Sequence, residues 1–222
     1  MLILSNTDKP LHIKTDDIII DQFRDFSGTK KILLSKNTKT SYLIIWNTSQ
    51  IDLEFTTAGE GTELYVYGLF FADEKKETKA KINFNITHSH TQAQLHLISF
   101  IQDERKVETD GAINISENIQ KVQSHLLEEN IILGKNISIK AKPILNIASN
   151  DVQASHGAKI EKIDAEKLLY MTSRGLTPEQ AQKLVVNWYL NHITDQLVAW
   201  NGGQEEKAIR AILEDVQTKI FR

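Results

Sequence analysis

Histidine is the residue type best able to do chemistry in this chain, which has seven histidines and no cysteine. His88, His90 and His96 fall in a segment whose alternation predicts a β-strand, and residues two apart on a strand share a face. Two imidazoles at that spacing can chelate a divalent metal, as in cupin-like barrels. Such a site normally recruits a carboxylate, and Gln94 stands where an acid would help. A cupin-like metal-dependent enzyme and a plain solvated polar face therefore both remain open.

The sequence lacks the common motifs of nucleophilic catalysis and nucleotide binding. Without cysteine the chain has no disulfide, no thiolate nucleophile and no Cys-ligated metal. It has no Gly-x-Ser-x-Gly elbow, and Gly134-Lys135 lacks the preceding glycine and the following Ser/Thr of a Walker A loop. These motifs therefore support neither a hydrolase elbow nor nucleotide binding by this chain, and any ATP involved would be bound by another protein.

Charge and hydropathy narrow the range of partners. The formal net charge is −3 and the pI about 6.2, so the chain lacks the strongly basic character typical of nucleic-acid binding. No stretch approaches the ~18 consecutive apolar residues of a membrane helix. The N-terminus lacks the basic region and long apolar core of a signal peptide. We expect a cytoplasmic protein that binds neither nucleic acid nor membrane.

The elements that must position the histidines are strands, because the first two thirds of the sequence predict β-structure. Short apolar runs alternate with polar residues, as half-buried strands require. The predicted strands include Ser41–Trp46, Ile51–Phe55, Glu63–Phe71, Lys81–Ile86 and Gln94–Phe100. Asn114-Ile115-Ser116 recurs as Asn136-Ile137-Ser138, 22 residues later, and this period favours a β-solenoid. A β-sandwich with regular hairpins remains the alternative.

A helical segment is predicted from Asp164 onwards. Asp164 is the expected N-cap of a helix over Ala165–Arg174, with Gly175 as its C′ residue. Thr177-Pro178-Glu179-Gln180 predicts a second helix that starts with a capping box. Its expected apolar face consists of Ala181, Leu184, Val185, Trp188 and His192. After a break at Gly202-Gly203, a last helix has an apolar side made of Ala208, Ile209, Ile212, Leu213, Val216 and Ile220. We therefore expect a β-domain over residues 1–163 and a helical domain over residues 164–222.

The junction between these regions carries a distinctive motif. It reads Asp151-Val152-Gln153-Ala154-Ser155-His156-Gly157-Ala158, and Ser173-Arg174-Gly175 follows after an acidic helix. This motif resembles the C-terminal signature of the SufB/SufD family of iron–sulfur cluster assembly scaffolds, and the chain looks like a short SufD-like member. The residues that match in register are Pro143, Leu145, Ile147, Asp151, Val152, Ser155, His156, Gly157, Ala158, Asp164, Leu168, Tyr170, Ser173, Arg174 and Gly175. Upstream, His88-Ser89-His90-Thr91 and Asn130–Gly134 resemble the same family, so the resemblance covers roughly residues 85–195.

The resemblance implies a mainly β fold with an α-helical C-terminal region: a right-handed parallel β-helix, which is a single-stranded solenoid, followed by a small helical domain. It implies dimerisation through the β-helix, as a homodimer or as a heterodimer with a SufB-like subunit. It also implies that a SufC-like ABC ATPase docks on the C-terminal helices, and the residues expected there are Tyr170, Arg174, Leu184, Trp188 and Tyr189. His156 matches a histidine near the site of cluster formation and is the expected metal contact, with His88 and His90 as further candidates.

The chain departs from the family pattern at one chemically important point. Ala154 stands where SufD-like relatives have cysteine, and no counterpart of the cluster-ligating SufB cysteine is present. A homodimer therefore cannot hold a cluster through protein thiolates. We expect no tightly bound cofactor, and at most a transient iron–sulfur cluster shared with a partner.

Overall fold

The computed structural model describes residues 2–5, 7, 9–23, 28–71, 77–199 and 205–221. In this part of the chain, fourteen β-strands in two parallel sheets precede three α-helices, so the protein is mainly β with a helical C-terminal region, as predicted. Sheet A consists, in spatial order, of β1 (Leu2–Leu4), β3 (Asp17–Phe23), β5 (Lys39–Trp46), β7 (Glu63–Phe71), β9 (Gln92–Ile101), β11 (Val122–Ile132) and β14 (Val152–Lys162). Sheet B consists of β2 (Leu11–Ile13), β4 (Lys30–Leu34), β6 (Gln50–Thr57), β8 (Glu77–Ile86), β10 (Lys106–Ile115) and β12 (Ser138–Ala141), and β13 (Ile144–Ile147) also pairs with β10.

The order of the strands excludes a sandwich built from hairpins. From β1 to β12, consecutive strands alternate between sheets A and B, so each strand pairs with the strand two places along the chain. The pairs in both sheets are parallel, for example β9 with β11 and β8 with β10. Hairpins would place consecutive strands side by side and antiparallel.

The spacing between paired strands agrees with the predicted period of about 22 residues only near the N-terminus. Near the N-terminus, the Lys39 N–H donates to Asp16, 23 residues earlier, whereas Asn146 Nδ2 donates to Asn114 Oδ1, 32 residues earlier (2.8 Å). Asn114 therefore lies beside Asn146 and not beside Asn136. Asn136 has a φ of 57° and belongs to the turn before β12, so the two Asn-Ile-Ser tripeptides occupy different positions.

One corner between the sheets is built from a repeated pair of residues. Asn37, Gly61 and His90 all have positive φ, and each is followed by a buried threonine. Each threonine hydroxyl donates to the carbonyl three residues earlier: Thr38 to Ser35 (2.7 Å), Thr62 to Gly59 (3.0 Å) and Thr91 to His88 (2.9 Å). These corners stack, because the N–H of Gly61 donates to Ser89 and the N–H of His90 to Gln120. A left-handed residue followed by threonine therefore ends each of these turns and starts the next strand of sheet A.

Two apolar layers stabilise the fold. The inner layer lies between the sheets and includes edge-to-face contacts of Phe55 with Tyr42 and Phe84, both with 5.1 Å between ring centroids. The outer layer lies between sheet A and the last two helices. Sheet A is therefore covered on both faces, which explains why runs such as Ile18–Ile20 and Leu43–Ile45 are continuously apolar and do not alternate.

One ion pair is enclosed in the inner layer. Lys30 of β4 and Asp21 of β3 are fully buried and in contact, so the pair bridges the two sheets. Lys30 Nζ also donates to Ser5 Oγ (2.9 Å), and the Tyr42 hydroxyl donates to Asp21 Oδ2 (2.5 Å). Burial, with the charge of Asp21, raises the pKa of Tyr42 well above its ordinary value, so the phenol remains a donor.

The first two of the three helices begin at the predicted caps. The three helices are α1 (Ala165–Ser173), α2 (Pro178–Val198) and α3 (Glu206–Ile220). Asp164 caps α1, Thr177 and Gln180 form the capping box of α2, and Gly175 has a φ of +94°. The predicted break at Gly202-Gly203 lies outside the described residues. No helix in the described ranges is long and apolar enough to cross a membrane.

The apolar face predicted for α2 is largely wrong. The side chains that α2 buries against sheet A are those of Val186, Tyr189, Leu190, Ile193 and Leu197, together with Ala181. Leu184 and Trp188 of the predicted face are instead 50% and 63% exposed. Because α2 has two apolar stripes, the stripe with the tryptophan was mistaken for the core face. For α3 most of the predicted side is correct, since Ile209, Leu213, Val216 and Ile220 are buried and Ile212 is partly buried, but Ala208 is exposed.

Candidate functional site

The motif at the junction lies in a part of the fold whose residues are largely exposed to solvent. We call β12, β13 and β14 the terminal coil, because they are the last strands of their sheets. None of the residues in these three strands is buried. β14 pairs with β11 on one side, and within the described residues its other edge has no neighbouring strand. A free edge carries backbone N–H and C=O groups that can pair with another chain.

His156 lies in the middle of this edge strand. It is exposed and stands in register with Leu126 of β11, which points into the inner layer. By alternation, Val152, Ala154, Ala158 and Ile160 share the inward side of β14 with His156. Ile160 is 53% exposed, and Ile144 and Ile147 of β13 are 41% and 48% exposed. The inward sides of β14 and β13 therefore expose His156, Ile160 and Ile147, whereas Ile144 points to the outer face of sheet B.

The three histidines of the proposed metal enzyme are not brought together on a strand. β9 begins at Gln92, so His88 and His90 lie in the turn before it, and that part of the prediction is wrong. The reason is the corner described above: His90 adopts a φ of 57°, and Thr91 closes the turn. His88 Nδ1 instead lies 2.9 Å from Thr87 Oγ1. Across the described ranges, no group of three His, Asp or Glu side chains is arranged to hold a metal ion.

His96 belongs to a polar network that could not be predicted from the sequence. On the outer face of sheet A, His96 Nε2 lies 2.6 Å from Glu129 Oε2, and Lys159 Nζ lies 3.3 Å from Glu129 Oε1. Lys159 also pairs with Glu161 (2.8 Å), whose carboxylate accepts a hydrogen bond from the Tyr189 hydroxyl (3.0 Å). The network therefore ties the edge strand β14 to helix α2.

The network shifts the protonation of its members in consistent directions. The hydrogen bond to His96, reinforced by Lys159, lowers the pKa of Glu129. The hydrogen bond to Glu161 is the main cause of the raised pKa of Lys159. Burial, followed by the hydrogen bond to Glu161, raises the pKa of Tyr189. At neutral pH the network therefore contains the ionised carboxylate of Glu129, the ammonium of Lys159 and the neutral phenol of Tyr189.

A second exposed surface lies on α1 and α2. We call it the helical surface; it consists of Leu169, Tyr170, Leu184 and Trp188, which are 50–70% exposed. α1 buries none of its residues, and the Arg174 guanidinium stacks 5.0 Å from the Tyr170 ring centroid. A cleft of about 330 Å³ opens beside Trp188, between the end of β14 and the two helices.

Of the residues predicted for docking, Tyr189 is placed differently from the others. It is only 6% exposed and contacts Phe100 edge-to-face, with 5.8 Å between ring centroids. The ring centroids of Tyr189 and Trp188 are 4.8 Å apart. Tyr189 therefore supports the helical surface from beneath, whereas Tyr170, Arg174, Leu184 and Trp188 are accessible on it.

Comparison with protein families identifies relatives of this chain. Residues 29–188 match the family model described as "SUF system FeS cluster assembly, SufBD core domain". The matched span includes the strands from β4 onwards, the motif with His156 and the first half of α2.

Individual relatives agree with the family model. The chain is 31% identical to the iron–sulfur cluster assembly protein SufD of Escherichia coli over 104 residues, which are 47% of this chain and 24% of that protein. It is 27% identical to a SufBD family protein of Synechocystis over 151 residues, 67% of this chain and 33% of the relative. A SufBD family protein of Methanothermobacter thermautotrophicus is 32% identical over 78 residues, 35% of this chain and 19% of the relative. The chain thus spans about a third or less of the length of these relatives.

Proposed function

The chain belongs to the SufB/SufD family of SUF-system iron–sulfur cluster assembly proteins, and we propose that it acts there as a non-catalytic scaffold subunit. The observation that carries this proposal is the position of the family motif on β14, a free sheet edge on an unburied coil. A motif on an exposed edge serves contact with another molecule better than it serves packing. The predicted cytoplasmic location stays a prediction.

The backbone of the scaffold is proposed to be a right-handed parallel β-helix. Alternation of parallel strands between two sheets supports a continuous coil in which each turn contributes one strand to each sheet. The stacked corners at Asn37, Gly61 and His90 support the same coil. Right-handedness rests on the strong preference of parallel crossover connections for that hand. In this proposal residues 1–163 form the β-helix, and residues 164–222 form the helical domain packed against it.

Dimerisation is proposed to occur through the terminal coil. A partner strand would pair with the open edge of β14 and cover the exposed side chains of Ile147 and Ile160. The partner is a second copy of this chain or a SufB-like subunit. In either case His156 would lie at the interface, and its neutral imidazole could ligate iron.

Cluster handling is proposed to depend on the partner. The cluster is the cargo of the system, and this chain offers an imidazole but no thiolate for it. Only a partner with cysteine could complete a thiolate set beside His156. A heterodimer with a SufB-like subunit would therefore allow transient cluster binding through protein thiolates, whereas a homodimer would serve as a structural scaffold.

The helical surface is proposed to dock a SufC-like ABC ATPase. Exposed aromatic and aliphatic side chains such as Trp188 and Leu184 are the kind of anchors that dominate protein interfaces. α1 has nine residues and buries none of them, so it lacks the tertiary packing that normally stabilises a short helix. A partner bound to α1 and α2 would supply that packing.

The pairing proposal can be tested with one charged substitution at the edge. Ile160→Asp introduces a carboxylate on an exposed position of β14, so the isolated chain should still fold. We expect self-association or association with a SufB-like subunit, measured by mass photometry, to weaken at least tenfold. The matched control is Leu4→Asp, the same change at 60% exposure on β1, the opposite edge of sheet A. Unchanged association of Ile160→Asp would show that pairing does not use this edge.

A further inference from the structure

Glu128 is a buried acid that takes no part in the proposed pairing or docking surfaces. It lies on the inward face of β11 and is 0% exposed. Its carboxylate reaches across to sheet B, where it accepts hydrogen bonds from the Thr109 hydroxyl (2.9 Å) and the Gly111 N–H (2.8 Å). A Cβ on Gly111 would lie 2.8 Å from Glu128 Oε1, so the absence of a side chain at Gly111 makes room for the carboxylate.

The carboxylate lies where the terminal coil is interrupted. β12 pairs with β10 up to Thr109, and β13 resumes the pairing at Ala112. Lys142 and Pro143 form the gap between the two strands, opposite Gly111. On the other side, Ala158 of β14 is the in-register neighbour of Glu128. The terminal coil is therefore the cover over this acid, and none of the residues in its three strands is buried.

The groups around Glu128 disfavour its charge. Burial is the main cause that raises the pKa of Glu128 to about 7, and the like charge of Asp110 on β10 adds to it. The hydrogen bonds from β10 and the backbone N–H of Lys142 act in the opposite direction but do not compensate. The in-register neighbours on β9 and β14, Leu97 and Ala158, are uncharged. The only titratable side chain on the inward side of β14 next to Ala158 is that of His156, two residues along the strand.

Other polar groups beneath the cover are unpaired. Ser124 and Asn130 lie on the same inward face of β11, at 7% and 1% exposure. Ser124 Oγ and both amide atoms of Asn130 have no hydrogen-bond partner within the described residues. Buried polar atoms without partners favour any local opening that admits water.

We propose that the terminal coil is a proton-linked lid over Glu128: it stays closed while this carboxyl is protonated and opens locally when the carboxyl is ionised. The direction of this pH dependence follows from the linkage between proton binding and closure of the terminal coil. A carboxyl whose pKa is raised in the closed state favours closure below its ordinary pKa, and this contribution is lost as the pH rises through about 7. With a shift from the ordinary value of 4.5 to about 7, the opening constant should rise up to about 300-fold between pH 4 and pH 9. The lid requires no partner, so it does not depend on the proposed function.

The test is an NMR titration of the ¹⁵N-labelled full chain. The Gly111 amide should titrate with a midpoint near pH 7, because its N–H donates to Glu128. Amide protection of Ile144–Ile147 and Ala158, corrected for intrinsic exchange, should fall between about pH 4.5 and pH 7, the ordinary and the raised pKa of Glu128, and should level off at higher pH. Both effects should vanish in Glu128→Gln and persist in Glu117→Gln, which changes an exposed glutamate.

Two results would overturn the lid. One is a Gly111 amide that does not titrate between pH 5 and pH 9. The other is protection of the terminal coil that is independent of pH, or equally dependent on it in Glu128→Gln. If Glu128→Gln fails to fold, the two measurements on the wild-type chain alone decide the matter, because each is expected to change over a stated pH range.

Discussion

Lys30→Met should destabilise the protein far more than an average substitution, because it leaves the Asp21 carboxylate buried without its counter-ion. Both side chains are 0% exposed, so solvent does not screen the pair. Breaking a buried ion pair from one side typically costs about 3–5 kcal/mol. Methionine has nearly the length of lysine, so a cavity adds little to this cost. Tyr42 still donates to Asp21 in the variant, which favours the lower half of that range.

The double variant Asp21→Asn/Lys30→Met separates charge from packing. It removes both charges while keeping a polar group for Tyr42. The loss of unfolding free energy in the double variant should therefore be smaller than the sum of the losses in the two single variants by at least about 2 kcal/mol. The assay is urea unfolding of all four proteins at one pH, with free energies compared at constant m-value. Additive single costs, or a Lys30→Met cost below about 1 kcal/mol, would refute the reasoning that this pair is desolvated.

Two further predictions use matched control variants. Tyr189→Phe removes the hydrogen bond between α2 and β14 and should lower the free energy of unfolding in urea by about 1–2 kcal/mol. The control Tyr65→Phe removes a longer, partly exposed hydrogen bond to a carboxylate and should lower it by less than about 0.5 kcal/mol. Equal losses of unfolding free energy in the two variants would contradict the conclusion that the network holds β14 against α2. Gly61→Ala should destabilise by about 1–3 kcal/mol, because φ is +73° and its Cβ would lie 2.4 Å from a side-chain oxygen of the stacked corner. Gly157→Ala should be nearly neutral in thermal unfolding, since its Cβ meets only one atom, at 3.8 Å; a large loss there would show that the space beside β14 is misjudged.

Much of the local structure could be predicted because its signals are local. The strands around Ser41–Trp46 and Glu63–Phe71 follow from β-branched and aromatic runs, and both are observed. The helix starts at Asp164 and Thr177 follow from capping chemistry alone. Each of these signals is contained within a few residues and needs no knowledge of the tertiary fold.

The errors arose where tertiary packing decides. His88 and His90 alternate like strand residues, but a stacked corner fixes His90 in a left-handed conformation. The sequence does contain a pattern for this corner, because a threonine follows each of the left-handed residues Asn37, Gly61 and His90. The pattern can be recognised only when the spacing between the corners is known. The two stripes of α2 could not be ranked, because which stripe is buried depends on sheet A beneath it.

The candidate site was found from its motif, but its surroundings were not. The motif indicated His156, and the structure adds that its strand is a free edge. The partner of His96 lies on the neighbouring strand of sheet A, 33 residues away, and the partners of Glu128 lie on the facing sheet B, 17–19 residues away; these spacings follow no helical or strand period. Only the register of the sheets brings these groups together.

The scaffold account is tested most directly by whether this chain binds a SufC-like ABC ATPase from the same genome. Co-expression followed by size-exclusion chromatography with light scattering should give a stable complex. The variant Leu184→Ala/Trp188→Ala should bind at least about 30-fold more weakly, as expected when an interface loses an aromatic anchor, whereas Leu4→Ala should bind normally. These variants are preferable to deleting residues 164–222, which would uncover the outer apolar layer of sheet A. Failure of the intact, folded chain to bind the ATPase, with and without ATP, would contradict the account.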